Sequence, residues 1–182
     1  MKALRASLVL IVWVMLCSHS AVSADRKPSQ VAVLNAALLV AARKGGSAEV
    51  KRLLAAGADV NTRRGSDALS AAGLTPLMLA ACGIHAGDDS RARIDTVKVL
   101  LAHSADINTG SPGGFTPLIW AVWADNIHVV RLLIQRGADV NANYPASDLT
   151  PLAVATTCSY PRIARILRRA GAKKSPPLVM TP

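Results

Sequence analysis

A five-residue phrase recurs along this chain. Gly57-Ala58-Asp59-Val60-Asn61 returns unchanged as Gly137-Ala138-Asp139-Val140-Asn141, closely as Ser104-Ala105-Asp106-Ile107-Asn108, and in decayed form as Gly171-Ala172-Lys173-Lys174. A second phrase, Thr-Pro-Leu, stands at 75–77, 116–118 and 150–152. Self-similarity at a fixed period constrains the fold more than composition does. Each copy is one supersecondary unit that can bury its apolar face only against its neighbours. Copies of the first phrase are spaced by 47, 33 and 34 residues, those of the second by 41 and 34. A unit of 33 satisfies both series if residues are inserted twice: six between Gly57 and Thr75, and eight between Thr75 and Ser104.

The physics of one unit follows from its residue types. Threonine caps a helix by accepting a hydrogen bond from a first-turn amide, and proline is pre-organised for the first helical position. Helices should therefore start at Pro76, Pro117 and Pro151. The small residues Ala80-Ala81, Ala121 and Ala155 let these helices approach neighbours closely. A second helix in each unit carries apolar residues at helical spacing: Val97, Leu100 and Leu101; Val130, Leu133 and Ile134; Ile163, Ile166 and Leu167. Gly57, Gly137 and Gly171 stand where a left-handed helix stop is needed. Asp-Val-Asn then leads into an outward loop.

The period, the Thr-Pro-Leu start and the Gly-Ala-Asp-Val-Asn close resemble the ankyrin repeat over residues 34–174. The resemblance implies an all-α solenoid of four helix-turn-helix repeats (34–66, 67–108, 109–142 and 143–174) with projecting hairpin-like loops. Family members usually place a histidine after Thr-Pro-Leu, whose ring links adjacent loops. Met78, Ile119 and Ala153 stand there instead, and Ala36-Ala37-Leu38 replaces Thr-Pro-Leu in the first unit, as suits a terminal cap.

The amino terminus differs in kind. Lys2 and Arg5 precede an apolar run from Leu8 to Leu16, followed by Ala21-Val22-Ser23-Ala24. This is the three-part pattern of a secretory signal over residues 1–24, cleaved after Ala24. Rival readings are a lipoprotein signal at Cys17, against which the bulk of Leu16 speaks, and an uncleaved anchor, for which the run is short. The chain is expected to be periplasmic or secreted, with a bacterial periplasm favoured by the compact signal and the absence of any Asn-x-Ser/Thr sequence. Residues 25–33 form a lead-in, and 175–182 a tail that Ser175-Pro176-Pro177 keeps out of a helix.

Charge narrows the partners. Lys and Arg number 21 against 11 acids. Loss of Lys2 and Arg5 with the signal lowers the excess from +10 to +8. A basic face of Arg162, Arg165, Arg168 and Arg169, with Lys173 and Lys174, follows the last acid, Asp148. It reads either as the solvated outer face that a terminal repeat requires, or as a surface for an acidic partner or an anionic membrane. Nucleic acid is not expected, since no basic motif is interleaved with aromatics.

Cys82 and Cys158 form an even pair in an oxidising compartment, which invites a disulfide. The repeat register places them two repeats apart, roughly 20 Å at helix-packing distances, whereas a bridge tolerates up to about 7 Å between Cα atoms. Two free thiols are expected. Nothing proposes chemistry: His85 with Asp88 and Asp89 has a metal-ligand flavour but lies in the second insertion and suits a polar loop. The glycines of Ser111-Pro112-Gly113-Gly114 serve a turn. No catalytic, metal or cofactor-binding residues are assigned, and the chain is read as a non-enzyme, monomeric.

In the resembled family, partners meet the loop tips and the exposed positions of each first helix. Carried over, this gives Leu74, Phe115 and Leu149 before their threonines, and Cys82, Trp123 and Thr157 after the small residues. Aromatics are only 3% of the chain, yet Phe115, Trp120, Trp123 and Tyr144 cluster in the third repeat and its following loop. Trp120 stands at a core position. Trp123 is either packing beside the second insertion or a partner anchor. Arg63 and Arg64 would supply a basic rim. The protein-binding candidates are thus Arg63, Arg64, Leu74, Phe115, Trp123, Tyr144 and Leu149.

Three functions follow. The first is an exported scaffold that binds another envelope protein, either helping a periplasmic enzyme or neutralising an imported toxin. The second is a surface adaptor whose basic end makes weak contact with anionic lipid. The third is a cryptic small-ligand binder or enzyme. The insertions Arg64 to Ala72, at a loop tip, and Ile84 to Asp95, between two helices, are equally open to a role or to none.

Overall fold

The structure, a computed structural model, describes residues 28–63, 73–83, 90–142 and 149–173. The expected signal, Arg64, the His85-Asp88-Asp89 grouping, Tyr144, Lys174 and the tail lie outside the described residues.

Within them the chain forms eight helices: α1 (Pro28–Lys44), α2 (Ser47–Ala55), α3 (Pro76–Cys82), α4 (Ser90–Ala102), α5 (Pro117–Trp123), α6 (Ile127–Gln135), α7 (Pro151–Thr157) and α8 (Pro161–Arg169). They pair as α1–α2, α3–α4, α5–α6 and α7–α8. First helices pack in the row α1, α3, α5, α7, and second helices in the row α2, α4, α6, α8. This is the expected four-repeat all-α stack.

Helix starts follow the threonines. The Thr75, Thr116 and Thr150 hydroxyls accept from the amides of Met78, Ile119 and Ala153, and proline occupies the first turn of each helix. Each cap contributes about 1 kcal/mol. The first unit lacks Thr-Pro, and nothing stops its helix there. The helix runs back to Pro28, so most of the expected lead-in is helical and α1 has 17 residues against seven in α3, α5 and α7.

Helix stops are equally regular. Gly57, Gly137 and Gly171 hold φ of +91°, +89° and +91°. In the first repeat the Gly57 amide donates to the Leu54 carbonyl and the Ala58 amide to Leu53, the paired bonds of a Schellman stop. The second repeat makes the same bonds with Ser104 in the left-handed position, at φ +65°.

The second insertion departs from expectation. Residues 90–95 were expected in a loop, but α4 begins at Ser90. Arg93, with only 3% of its surface exposed, is the reason. Its side chain lies against the inter-helix turns of two repeats, close enough that a Cβ at Gly45 would meet Arg93 Cγ at 3.6 Å and one at Gly83 would meet Nε at 3.2 Å. Tertiary packing of this residue favours an additional helical turn.

The core is one apolar layer between the two rows of helices. Leu38, Leu77, Leu118 and Leu152 come from the first helices; Val50, Val97, Val130, Leu53, Leu100, Leu133, Ile163 and Leu167 come from the second. Removing one such leucine side chain would cost about 2–5 kcal/mol.

Candidate functional site: the first-helix face and its loops

The loops are tied together by asparagines. In the first three repeats the Asp of Asp-Val-Asn or Asp-Ile-Asn closes a local turn: Asp59 Oδ1 accepts from the Asn61 amide, Asp106 from Asn108, and Asp139 from Asn141. Each Asn then reaches forward. Asn61 Oδ1 accepts from the Asp106 amide at 2.9 Å, Asn108 from Asp139 at 2.8 Å, and Asn141 from Lys173 at 2.8 Å. Asn35 starts the series by accepting from Asp59. Adjacent loops are thus linked through asparagine side chains.

Arg63 belongs to this scaffold. Its guanidinium donates to the carbonyls of Gly73 and Gly110 and to Thr109 Oγ1, at 3.0–3.1 Å. Because 63 and 73 flank the first insertion, the two ends of that segment are held together. Expected as part of a basic rim, Arg63 is exposed and also clasps the loops, with three of its five N–H donors bonded to the chain itself.

Leu74 requires a correction. Expected at an exposed position, it is buried with Met78 and Leu79, and Leu39 and Trp120 pack against the group. The preceding Gly73, at φ +80°, approaches the Pro112 ring so closely that a Cβ there would collide with it. Leu149 is half-buried against the main core, and Cys82 is buried.

Phe115 and Trp123 meet. A tight turn fixes Phe115 just before α5: the Gly114 amide donates to the Ser111 carbonyl, the Ser111 amide to the Phe115 carbonyl, and the Phe115 amide to Ser111 Oγ. Its ring lies 5.6 Å from Trp120 and 5.4 Å from Trp123, tilted against both. The two indoles stack at 6.0 Å. Offset and tilted pairs at these distances are favourable by about 0.5–1.5 kcal/mol each. Trp123 keeps 47% of its surface exposed. Trp120 is half-buried, and its Nε1–H has no acceptor among the described residues.

These rings line a recess of about 540 Å³ with Cys82, Gly83, Ala124 and Tyr160. Tyr160 escaped sequence reasoning because it sits in the next repeat, in the short turn between α7 and α8. A second recess, of about 690 Å³, lies at the end of the stack, lined by Thr156, Tyr160, Ala164, Arg165, Arg168 and Arg169 among others. Three of the four residues of the expected basic face therefore gather there, while Arg162 is exposed outside it. Two further exposed apolar residues, Val33 and Val40, lie seven apart on α1, where the sequence reading proposed nothing.

The two cysteines among the described residues are free, Cys82 buried and Cys158 half-buried. Burial pushes the Cys82 thiol up, with nearby Arg93 opposing. Among the described residues no group of three or more His, Cys, Asp or Glu is placed to hold a metal, and no helix is long and apolar enough to cross a membrane.

The helix pairs, the left-handed stops and the linked loops define an ankyrin stack. A model of ankyrin repeats in three copies matches residues 38–144 and again 90–176, so the chain belongs to the ankyrin repeat family. It is similar to an ankyrin repeat protein of fowlpox virus, at 30% identity over 73% of this chain and 47% of the viral one. It is similar to alpha-latrocrustotoxin-Lt1a of Latrodectus tredecimguttatus, at 41% over 45% of this chain and 6% of the toxin. It is also similar to protein phosphatase 1 regulatory subunit 27 of Mus musculus, at 34% over 42% of this chain and 49% of that protein. The chain spans less than half the length of these curated relatives. The family is generally non-catalytic, and its repeats are a scaffold for binding another protein.

Proposed function

We propose that this chain is an exported, non-catalytic scaffold that binds another protein of the cell envelope and assists or restrains it, as a helper of an enzyme or as an immunity protein. The exposed aromatic cluster on α5 carries the reading. In a chain with 3% aromatics, two indoles of α5 meet the ring of Phe115 just before the helix, and Trp123 is left half in solvent. Tryptophan in such a setting contributes disproportionately to protein interfaces. Export rests on the basic, apolar and small-residue order of residues 1–24.

Affinity capture from a periplasmic extract, with the mature chain and its Trp123→Ala variant, tests the reading. A partner retained by the first and at least about tenfold depleted with the second supports it. Equal capture by both, with unchanged helical circular dichroism, removes Trp123 from the interface.

A further inference from the structure

The two recesses share a wall, Tyr160, and differ in chemistry. The one against α5 is aromatic. The one at the end of the stack presents the guanidinium groups of Arg165, Arg168 and Arg169 and no carboxylate, in a chain without Asp or Glu after Asp148. All three arginines are exposed, and none forms an ion pair among the described residues.

The repeat register shows how the fourth repeat differs from the others. Arg168 occupies the position held by Leu54, Leu101 and Ile134 in the earlier repeats, all packed against the core. An apolar residue there would receive a fifth repeat, but a guanidinium group does not. The surface is cationic where the earlier repeats are apolar, and is suited to an anion.

We propose that the recesses form one docking track for an extended acidic segment of a partner protein. A bulky apolar side chain of the segment rests against Trp123 and Phe115. Its backbone passes Tyr160, and carboxylates farther along pair with Arg165 and Arg168. Neighbouring repeats lie about 10 Å apart, so the third repeat and the far side of the fourth are separated by roughly 15–20 Å, which an extended chain covers in about five residues at ~3.3 Å each. Charge complementarity selects an acidic occupant, and the adjoining aromatic recess selects a peptide over a lipid surface, which would engage the arginines alone. The inference rests on the scaffold reading above and adds the partner's chemistry.

Fluorescence anisotropy with the mature chain tests it, using four probes. The first is a labelled peptide with one tryptophan, about five glycine and serine residues and then three glutamates. In the second the glutamates become glutamines; in the third the tryptophan becomes glycine. The fourth is a vesicle of phosphatidylcholine and phosphatidylserine. The complete peptide should bind at least about tenfold tighter than either reduced peptide. Arg165→Gln with Arg168→Gln should erase the advantage of the glutamates, and Trp123→Ala that of the tryptophan. The glutamate advantage should also shrink as salt rises. Absence of peptide binding up to about 1 mM, equal binding by complete and reduced peptides, or arginine-dependent preference for the vesicle would each overturn the track.

Periplasmic capture with the same variants separates this inference from the one beneath it. A partner lost with Trp123→Ala but kept by the double arginine variant contradicts the track and leaves the scaffold reading standing. A partner kept by both contradicts the site altogether.

Discussion

Among the stops of the four second helices Ser104 alone is not glycine, and replacing it isolates what the recurring glycine does. Its backbone is held at φ +65°, where the equivalent glycines sit near +90°. The stop's hydrogen bonds are already made, Ser104 N–H to Leu101 O at 3.2 Å and Ala105 N–H to Leu100 O at 3.1 Å, so glycine would add no contact. What changes is strain. A left-handed conformation costs an L-residue about 1–2 kcal/mol, while glycine costs roughly 0.5–1 kcal/mol in chain entropy on folding. The difference predicts that Ser104→Gly stabilises the fold by about 0.5–1 kcal/mol. For a domain of this size that raises Tm by about 1–4 °C. Urea unfolding followed by circular dichroism should show a higher midpoint at unchanged m, since no surface is altered. Ser104→Ala is the control: it keeps the Cβ and should give no gain. A loss of stability in Ser104→Gly, or the same gain in Ser104→Ala, would refute the strain argument.

Three further predictions concern the scaffold. Asn108→Ala removes the acceptor of the Asp139 amide and should cost about 1 kcal/mol, read as a lowered urea midpoint, with Asn108→Asp recovering most of it because an acceptor oxygen remains. Gly73→Ala combines a left-handed backbone with a collision against Pro112 and should cost at least about 2 kcal/mol, visible as a lower Tm. With iodoacetamide at neutral pH, Cys158 should alkylate before Cys82, because burial both shields the Cys82 sulfur and disfavours its thiolate; mass spectrometry of partially labelled protein would decide the order.

Features set by neighbours in sequence were readable in advance. Threonine followed by proline fixes a helix start from within four residues, and a glycine at the close fixes its end, so the repeat count and the register of both helices could be placed. The separation of Cys82 from Cys158 followed from that register. Features set by distant neighbours were not readable. Leu74 has the surroundings of a loop residue, and its burial depends on Leu39 and Trp120, which the neighbouring repeats bring against it and Met78. Arg63 resembles any exposed arginine until Thr109 and Gly110 are brought beside it. Arg93 looked like part of a polar insertion, and only packing between two turns makes it helical and buried. The Asn ladder lay within the repeated phrase itself. The recurrence of Asn61, Asn108 and Asn141 is the signal that could have revealed it, because an invariant polar residue in a loop calls for a hydrogen-bond partner.

Site-specific photocrosslinking at position 123 tests the central claim most directly, that the face of α5 is where a partner protein is bound. With Trp123 replaced by benzoylphenylalanine, and Arg131 on α6 replaced likewise for comparison, irradiation of intact cells should give a discrete protein adduct from position 123 and none from 131. An adduct at 131 alone would contradict the account.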